Sequence, residues 1–156
     1  MAGMDRRTVP EWTLAESWWV SLMHRFGFSD NMDTFYALVH EYQGDHRHYH
    51  TLNHVRHCCA ELEIYRYWAC HPDDIELAIW FHDAIYEPLS RHNERRSADW
   101  AVKFLEANGA PAARVNRVRE LIMATSHSIE PASPDAALLV DIDLSILAAP
   151  ESTFNE

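Results

Sequence analysis

Glycine is scarce in this sequence, with 4 in 156 residues. A chain with so few conformationally free positions is short of the tight turns that an all-β fold requires, so helices are favoured. Cysteine is scarce as well. The 3 present, Cys58, Cys59 and Cys70, form neither an even disulfide framework nor a spaced zinc-ribbon pattern, and reduced thiols in a cytoplasmic protein are the simplest expectation. No run of roughly 18 apolar residues occurs, and the arginine-bearing start from Met1 to Pro10 is not followed by an apolar stretch. Neither a membrane span nor a signal peptide is expected. Basic residues are outnumbered, 13 against 24 acidic ones, for a formal net charge of -11. Such a surface repels nucleic-acid backbone and anionic membrane. A small phosphorylated ligand stays within reach, because a bound divalent cation reverses the local field whatever the overall charge.

What the chain does have is apolar mass: 47% hydrophobic and 12% aromatic residues over a length suited to one domain, taken as 1–156. Neither repeats nor low-complexity tracts interrupt it. Thr13 followed by Glu16 reads as a capping box, and Leu14, Trp18, Leu22 and Phe26 then recur at helical spacing, which predicts a first helix over 13–26. Asp30 is suited to cap a second helix through Phe35, Tyr36, Val39 and Tyr42, ending before Gly44-Asp45. Thr51 would cap a third, with Leu52, Val55, Cys59, Leu62 and Tyr65 towards the core and Tyr67 and Trp68 extending its aromatic end. A fourth should start at Asp73 or Asp74 and deliver His82-Asp83 near its C-terminal end. Asn93 to Asn108 reads as a fifth, stopped by Gly109, and Pro111 opens a sixth. Pro131 and Pro134 mark a loop before a buried seventh helix, Ala136 to Leu147, holding Asp141 and Asp143.

Several of these residues suit a metal centre. Divalent ions in hydrolases need imidazoles and carboxylates that converge on one point and leave positions open for water and substrate. His50 and His54 are four apart and share a face if the third helix begins early enough. Adjacent residues on a helix diverge by about 100°, so His82 and Asp83 reach one ion only if it sits against their helix near an end. Asp141 and Asp143, set among Val140, Ile142 and Leu144, are costly to bury without a cation or hydrogen bonds. Each feature has an ordinary alternative: a solvated connection for the run His46, His48, His50, His54 and His57, a hydrogen-bonded dyad for His82-Asp83. Their order on successive predicted helices is what favours chemistry.

The strings Tyr49-His50-Thr51-Leu52-Asn53-His54, Trp80-Phe81-His82-Asp83-Ala84-Ile85-Tyr86, Asn93-Glu94-Arg95-Arg96-Ser97-Ala98 and Asp141-Ile142-Asp143-Leu144-Ser145-Ile146-Leu147 together resemble predicted metal-dependent phosphohydrolases of the HD-domain superfamily. The resemblance spans roughly 45–147. It implies an all-α, single-domain HD-type helical bundle with a metal site made by His54, His82, Asp83 and a late aspartate. Asp143 is preferred over Asp141, because Asp143-Leu144-Ser145 is similar to the last metal-binding motif of cyclic-nucleotide phosphodiesterases. By the same likeness His50 is the general acid and His54 a ligand. Glu94 and His127 stand where some relatives bind a second ion, which would be shared through Asp83. A helix-start acid and a loop histidine are the ordinary readings of those two. Relatives continue past the last aspartate into an aromatic, basic helix, whereas this chain stops at Phe154-Asn155-Glu156, so a truncated or atypical end is expected.

The implied reaction is hydrolysis of a small phosphate ester, a nucleotide or related metabolite, with Asp83 and His50 as catalytic residues and one or two divalent ions as cofactor (Mn, Co, Ni, Mg, Zn or Fe). No nucleic-acid polymer or membrane partner is expected, and the oligomeric state is open. Two rivals are a non-catalytic metal- or nucleotide-binding module and a di-iron oxygenase on the same scaffold.

Overall fold

From Ile75 to Phe81 every side chain is apolar except Glu76, and every one of them is buried. A helix that is apolar on all sides belongs in the centre of a domain. The computed structural model describes residues 12–44, 47 and 51–146, which form seven α-helices and one 3-10 turn, with no strand among the described residues. These are α1 (Trp12–Phe26), α2 (Met32–Tyr42), α3 (Leu52–Tyr65), the turn Arg66–Trp68, α4 (Pro72–His82), α5 (Asn93–Ala107), α6 (Ala112–Ala124) and α7 (Pro134–Ser145). The central helix is α4, which packs against α1, α3, α5, α6 and α7. The all-helical single domain expected from composition and periodicity is what forms.

An aromatic cluster ties the N-terminal half to this centre. Trp19 meets Trp80 edge-on at 5.5 Å and lies 5.7 Å from Phe104, while Phe81 meets Trp100 edge-on at 5.7 Å. Tilted and edge-on pairs of this kind each add about 0.5–1.5 kcal/mol beyond their burial. Tyr42, at the end of α2, donates its hydroxyl to the Trp80 carbonyl at 2.8 Å. The carboxylate of Asp135, in the first turn of α7, accepts from the backbone N–H groups of Cys70 and His71 at 2.8 Å each. It thereby ties the residues just before α4 to the start of α7, while His71 gives α4 no side-chain cap. Since Asp143, near the other end of α7, approaches His82 at the end of α4, the two helices run in the same direction.

Two buried acids on α4 are held by arginines. Asp74 receives Arg114 Nε at 2.9 Å and Arg117 Nε at 2.6 Å from α6. Glu76 is paired with Arg25 of α1 and with Arg66, 3.2 Å away, and both arginines also bind Asp73.

Several local expectations change. Asp30 does not cap α2: Asn31 takes that position in a left-handed conformation. Asp30 instead accepts from the Trp19 indole at its carbonyl and from His24 at its carboxylate. Helix α1 starts at Trp12, ahead of Thr13, and Leu14 is exposed. Tyr65 is also exposed, as are Tyr67 and Trp68 on the 3-10 turn, so the aromatic end of α3 points to solvent. Pro134 begins α7 at its first turn, behind Ser133, whose hydroxyl accepts from Ala136 N. Helix α5 and its stop at Gly109, where φ is +74°, form as read from the sequence. No helix among the described residues is long and apolar enough to cross a membrane.

Candidate metal centre

Helices α3, α4 and α7 each bring a donor to one point. His54 sits in the first turn of α3 and is buried with Val55, Cys58, Cys59 and Leu62 of the same helix. His82 is the last residue of α4, and Asp83 is its C-cap, at φ −111° and ψ 13°. Leaving the helix at Asp83 frees its side chain from the divergence that neighbouring helical residues would have. Asp143 comes from the last turn of α7, with its carboxylate largely covered.

The polar atoms are close. His54 Nε2 lies 2.8 Å from Asp143 Oδ1 and 3.7 Å from Asp83 Oδ2. His82 Nε2 lies 3.3 Å from His54 Nε2, 3.3 Å from Asp143 Oδ1 and 3.2 Å from Asp83 Oδ2. One donor atom from each of the four residues falls within 4.8 Å of every other. Two donors each about 2.1 Å from an ion, at tetrahedral or octahedral angles, stand about 3.0–3.4 Å apart. The spacing and the two-imidazole, two-carboxylate set therefore fit a divalent cation, and the four residues could hold one.

The electrostatics agree. His82 Nδ1 lies 2.7 Å from the Ile79 carbonyl, which can only accept, so Nδ1 carries a proton and Nε2 is the nitrogen offered to the cluster. Burial opposes a charge on His82, but the Asp83 carboxylate and hydrogen bonds to Asp143 and Asp83 overcome it and hold the imidazole pKa well above its usual value. Burial likewise opposes the Asp143 carboxylate, and the hydrogen bonds of His54 and His82 reverse that, lowering its pKa. Both shifts express one demand: two covered carboxylates call for positive charge between them.

The end of α4 is fixed from outside the cluster. Arg47, 6% exposed, donates Nη1 to the Asp83 carbonyl at 2.6 Å and Nη2 to the Ala84 carbonyl at 2.8 Å. Its guanidinium lies over the Tyr42 ring at 5.0 Å. No local pattern in the sequence marked Arg47 or Asp135 as positioning residues, because their partners lie 36, 37 and 64–65 positions away. Cys58, read from the sequence only as a reduced thiol, also borders the group, with its Sγ 3.7 Å from His54 Nε2.

Of the other residues named from the sequence, His127 is drawn in: its Nε2 lies 2.9 Å from Asp143 Oδ2, with its own backbone at φ +57°. It thus meets the oxygen of Asp143 that faces away from His54. Glu94 stands in the first turn of α5 and is not part of the group. Asp141 is exposed, which corrects the picture of two buried acids on α7. Residues two apart on a helix point about 200° apart, so only one of Asp141 and Asp143 can face α4. His46, His48, His50 and Leu147 lie outside the described residues. Helix α3 begins at Leu52, after an extended Thr51, and the expected shared face of His50 and His54 falls on residues outside the described ones. No protein-family model, no curated protein and no solved structure matches this chain.

Proposed function

We propose that this protein is a metal-dependent phosphohydrolase of the HD-domain type, acting on a small phosphate ester such as a nucleotide or related metabolite. The observation that supports this reading is the convergence of His54, His82, Asp83 and Asp143 from three helices onto one point. The same four residues are those the motif resemblance selects. A divalent ion held there would supply Lewis acidity and lower the pKa of a water molecule for attack on phosphorus.

The chain's own residues set the rest. The Ile79 carbonyl keeps the His82 proton on Nδ1, so that its Nε2 lone pair is free for the ion. Arg47 holds the Asp83 backbone, which fixes the origin of that carboxylate. His127, next to the outer oxygen of Asp143, is placed to hold that carboxylate in orientation or to join a second ion. His50 is assigned the proton transfer to the leaving group on resemblance alone.

The test is phosphate release from nucleotides and sugar phosphates with Mn, Co, Ni, Mg, Zn or Fe(II) added singly. Turnover should require metal, vanish in Asp83→Ala and persist in the exposed control Arg91→Ala. Full activity in Asp83→Ala would remove the proposal.

A further inference from the structure

Beside the seam of α3 and α7, away from the four converging donors, lies a half-open groove of about 590 Å³. Glu61, Tyr65, Trp68, Leu138, Asp141 and Ile142 line it. A site of this size is in the range that takes a small molecule. Its chemistry is specific: a largely apolar floor, two aromatic rings and two carboxylates, with no basic side chain in the lining.

The groove is negative, and the His57 imidazole that acts on Glu61 has its pKa lowered by burial. Neither Glu61 nor Asp141 has an ion-pair partner among the described residues. The last turns of α3 and α7, which contribute Tyr65, Ile142 and Ser145, contain no basic residue to balance the negative ends of their helix dipoles. Arg66, the nearest base in sequence to Tyr65, is turned to Glu63, Asp73 and Glu76. At the far end, the Ser145 hydroxyl donates to the Ile142 carbonyl at 2.6 Å and so can only accept from His57 Nε2, 3.0 Å away.

We propose that this groove binds an organic cation, an ammonium group on an apolar or aromatic stem. Trp68 and Tyr65 offer aromatic surface to a cation while the apolar floor takes its stem. Glu61 and Asp141 supply the counter-charge at the rim. A second copy of this chain is a poor occupant, since self-association across a two-fold axis would set the same carboxylates against each other. The exposure of Trp68, 76%, is what such a ligand would cover.

The experiment is calorimetric titration of the full chain with benzyltrimethylammonium and, in parallel, with the neutral benzyl alcohol. The cation should bind saturably and lose affinity with added salt, and the alcohol should bind at least about tenfold more weakly. Trp68→Ala and Asp141→Asn, both at exposed positions where folding is not at stake, should each weaken the cation by about fivefold or more. Asp143→Asn should leave it unchanged, so the groove and the metal centre are tested separately. Absence of saturable binding, equal binding of the alcohol, or unchanged affinity in both groove variants would overturn the assignment.

Discussion

Arg47 spans the backbone carbonyls of Asp83 and Ala84 with its two terminal nitrogens, at 2.6 Å and 2.8 Å, and so ties the segment before α3 to the end of α4. Those carbonyls lie just beyond the last turn of α4, where unsatisfied acceptors and the negative end of the dipole favour a cation. The same bonds set where the Asp83 carboxylate starts. Replacing Arg47 by Met keeps the apolar stem and removes both bonds, with an expected loss of about 1.5–3 kcal/mol in denaturant unfolding. Lys should rescue only part of it, because an ammonium lacks the planar fork that meets two acceptors at once. Metal affinity should fall in step. Wild-type affinity in the Met variant would show that Arg47 braces the fold without placing Asp83.

The four converging donors predict a metal-dependent stability. A divalent ion at one hundred times its dissociation constant should stabilise the chain by about 2.7 kcal/mol, visible as a higher melting temperature. His82→Ala and Asp143→Ala should lose that gain, and Arg91→Ala should keep it. The gain should also shrink as pH falls. His82 has a raised pKa, so its contribution to metal-free stability is complete below about 6.5 and fades as pH rises through the raised value. Metal must displace that proton, and acid therefore favours the metal-free form. A metal-induced shift that grows towards low pH would contradict this arrangement of donors.

The buried Asp74 and its two arginines, at the other end of α4, predict an asymmetry. The Asp74 side chain is 1% exposed, while Arg114 and Arg117 are 29% and 34% exposed. Removing the acid leaves two arginines that can turn to water, and Arg114 keeps its place over the Phe26 ring at 4.6 Å. Removing both arginines leaves a covered carboxylate alone. Asp74→Asn should therefore cost about 1–3 kcal/mol, and the Arg114→Met, Arg117→Met double variant about 3–5 kcal/mol, in chemical denaturation. Equal costs would mean that the carboxylate gains water in the double variant.

Where the sequence foretold the fold, local and tertiary preferences coincide. The stretch from Asn93 to Gly109 has its apolar residues on one face, and α5 forms where they place it, with Ala98, Ala101 and Leu105 buried. The apolar run of α4, interrupted only by Glu76, likewise has only one place to go. The errors come from choices that local patterns leave open. Asp30 is as good a cap as Asn31, until the Trp19 indole takes its carbonyl. Tyr65 continues the spacing of Leu62 and Val55, yet the chain turns at Arg66 and Tyr65 is left exposed. The donors His54, His82, Asp83 and Asp143 were legible because the motifs named them. Arg47 and Asp135 were not, since each acts on backbone atoms that no side-chain pattern encodes.

Glu76 offers a pH test remote from the metal centre. It is buried, and burial raises its pKa above the ordinary 4.5 even though Arg25 and Arg66 pull the other way. A carboxyl whose pKa is higher in the folded chain binds its proton more tightly there. Its contribution is thus favourable below the unfolded value and is lost as pH rises through the folded one. At neutral pH the ionised Glu76 is consequently a net cost that a neutral isostere avoids, while the two arginines retain Asp73 as a partner. Glu76→Gln should be at least as stable as the parent at pH 7, and the two should converge near pH 4, where the parent is protonated. Paired melting curves across that range decide it: a Gln variant that is less stable at neutral pH, with the deficit closing in acid, would mean that the two arginines outweigh burial.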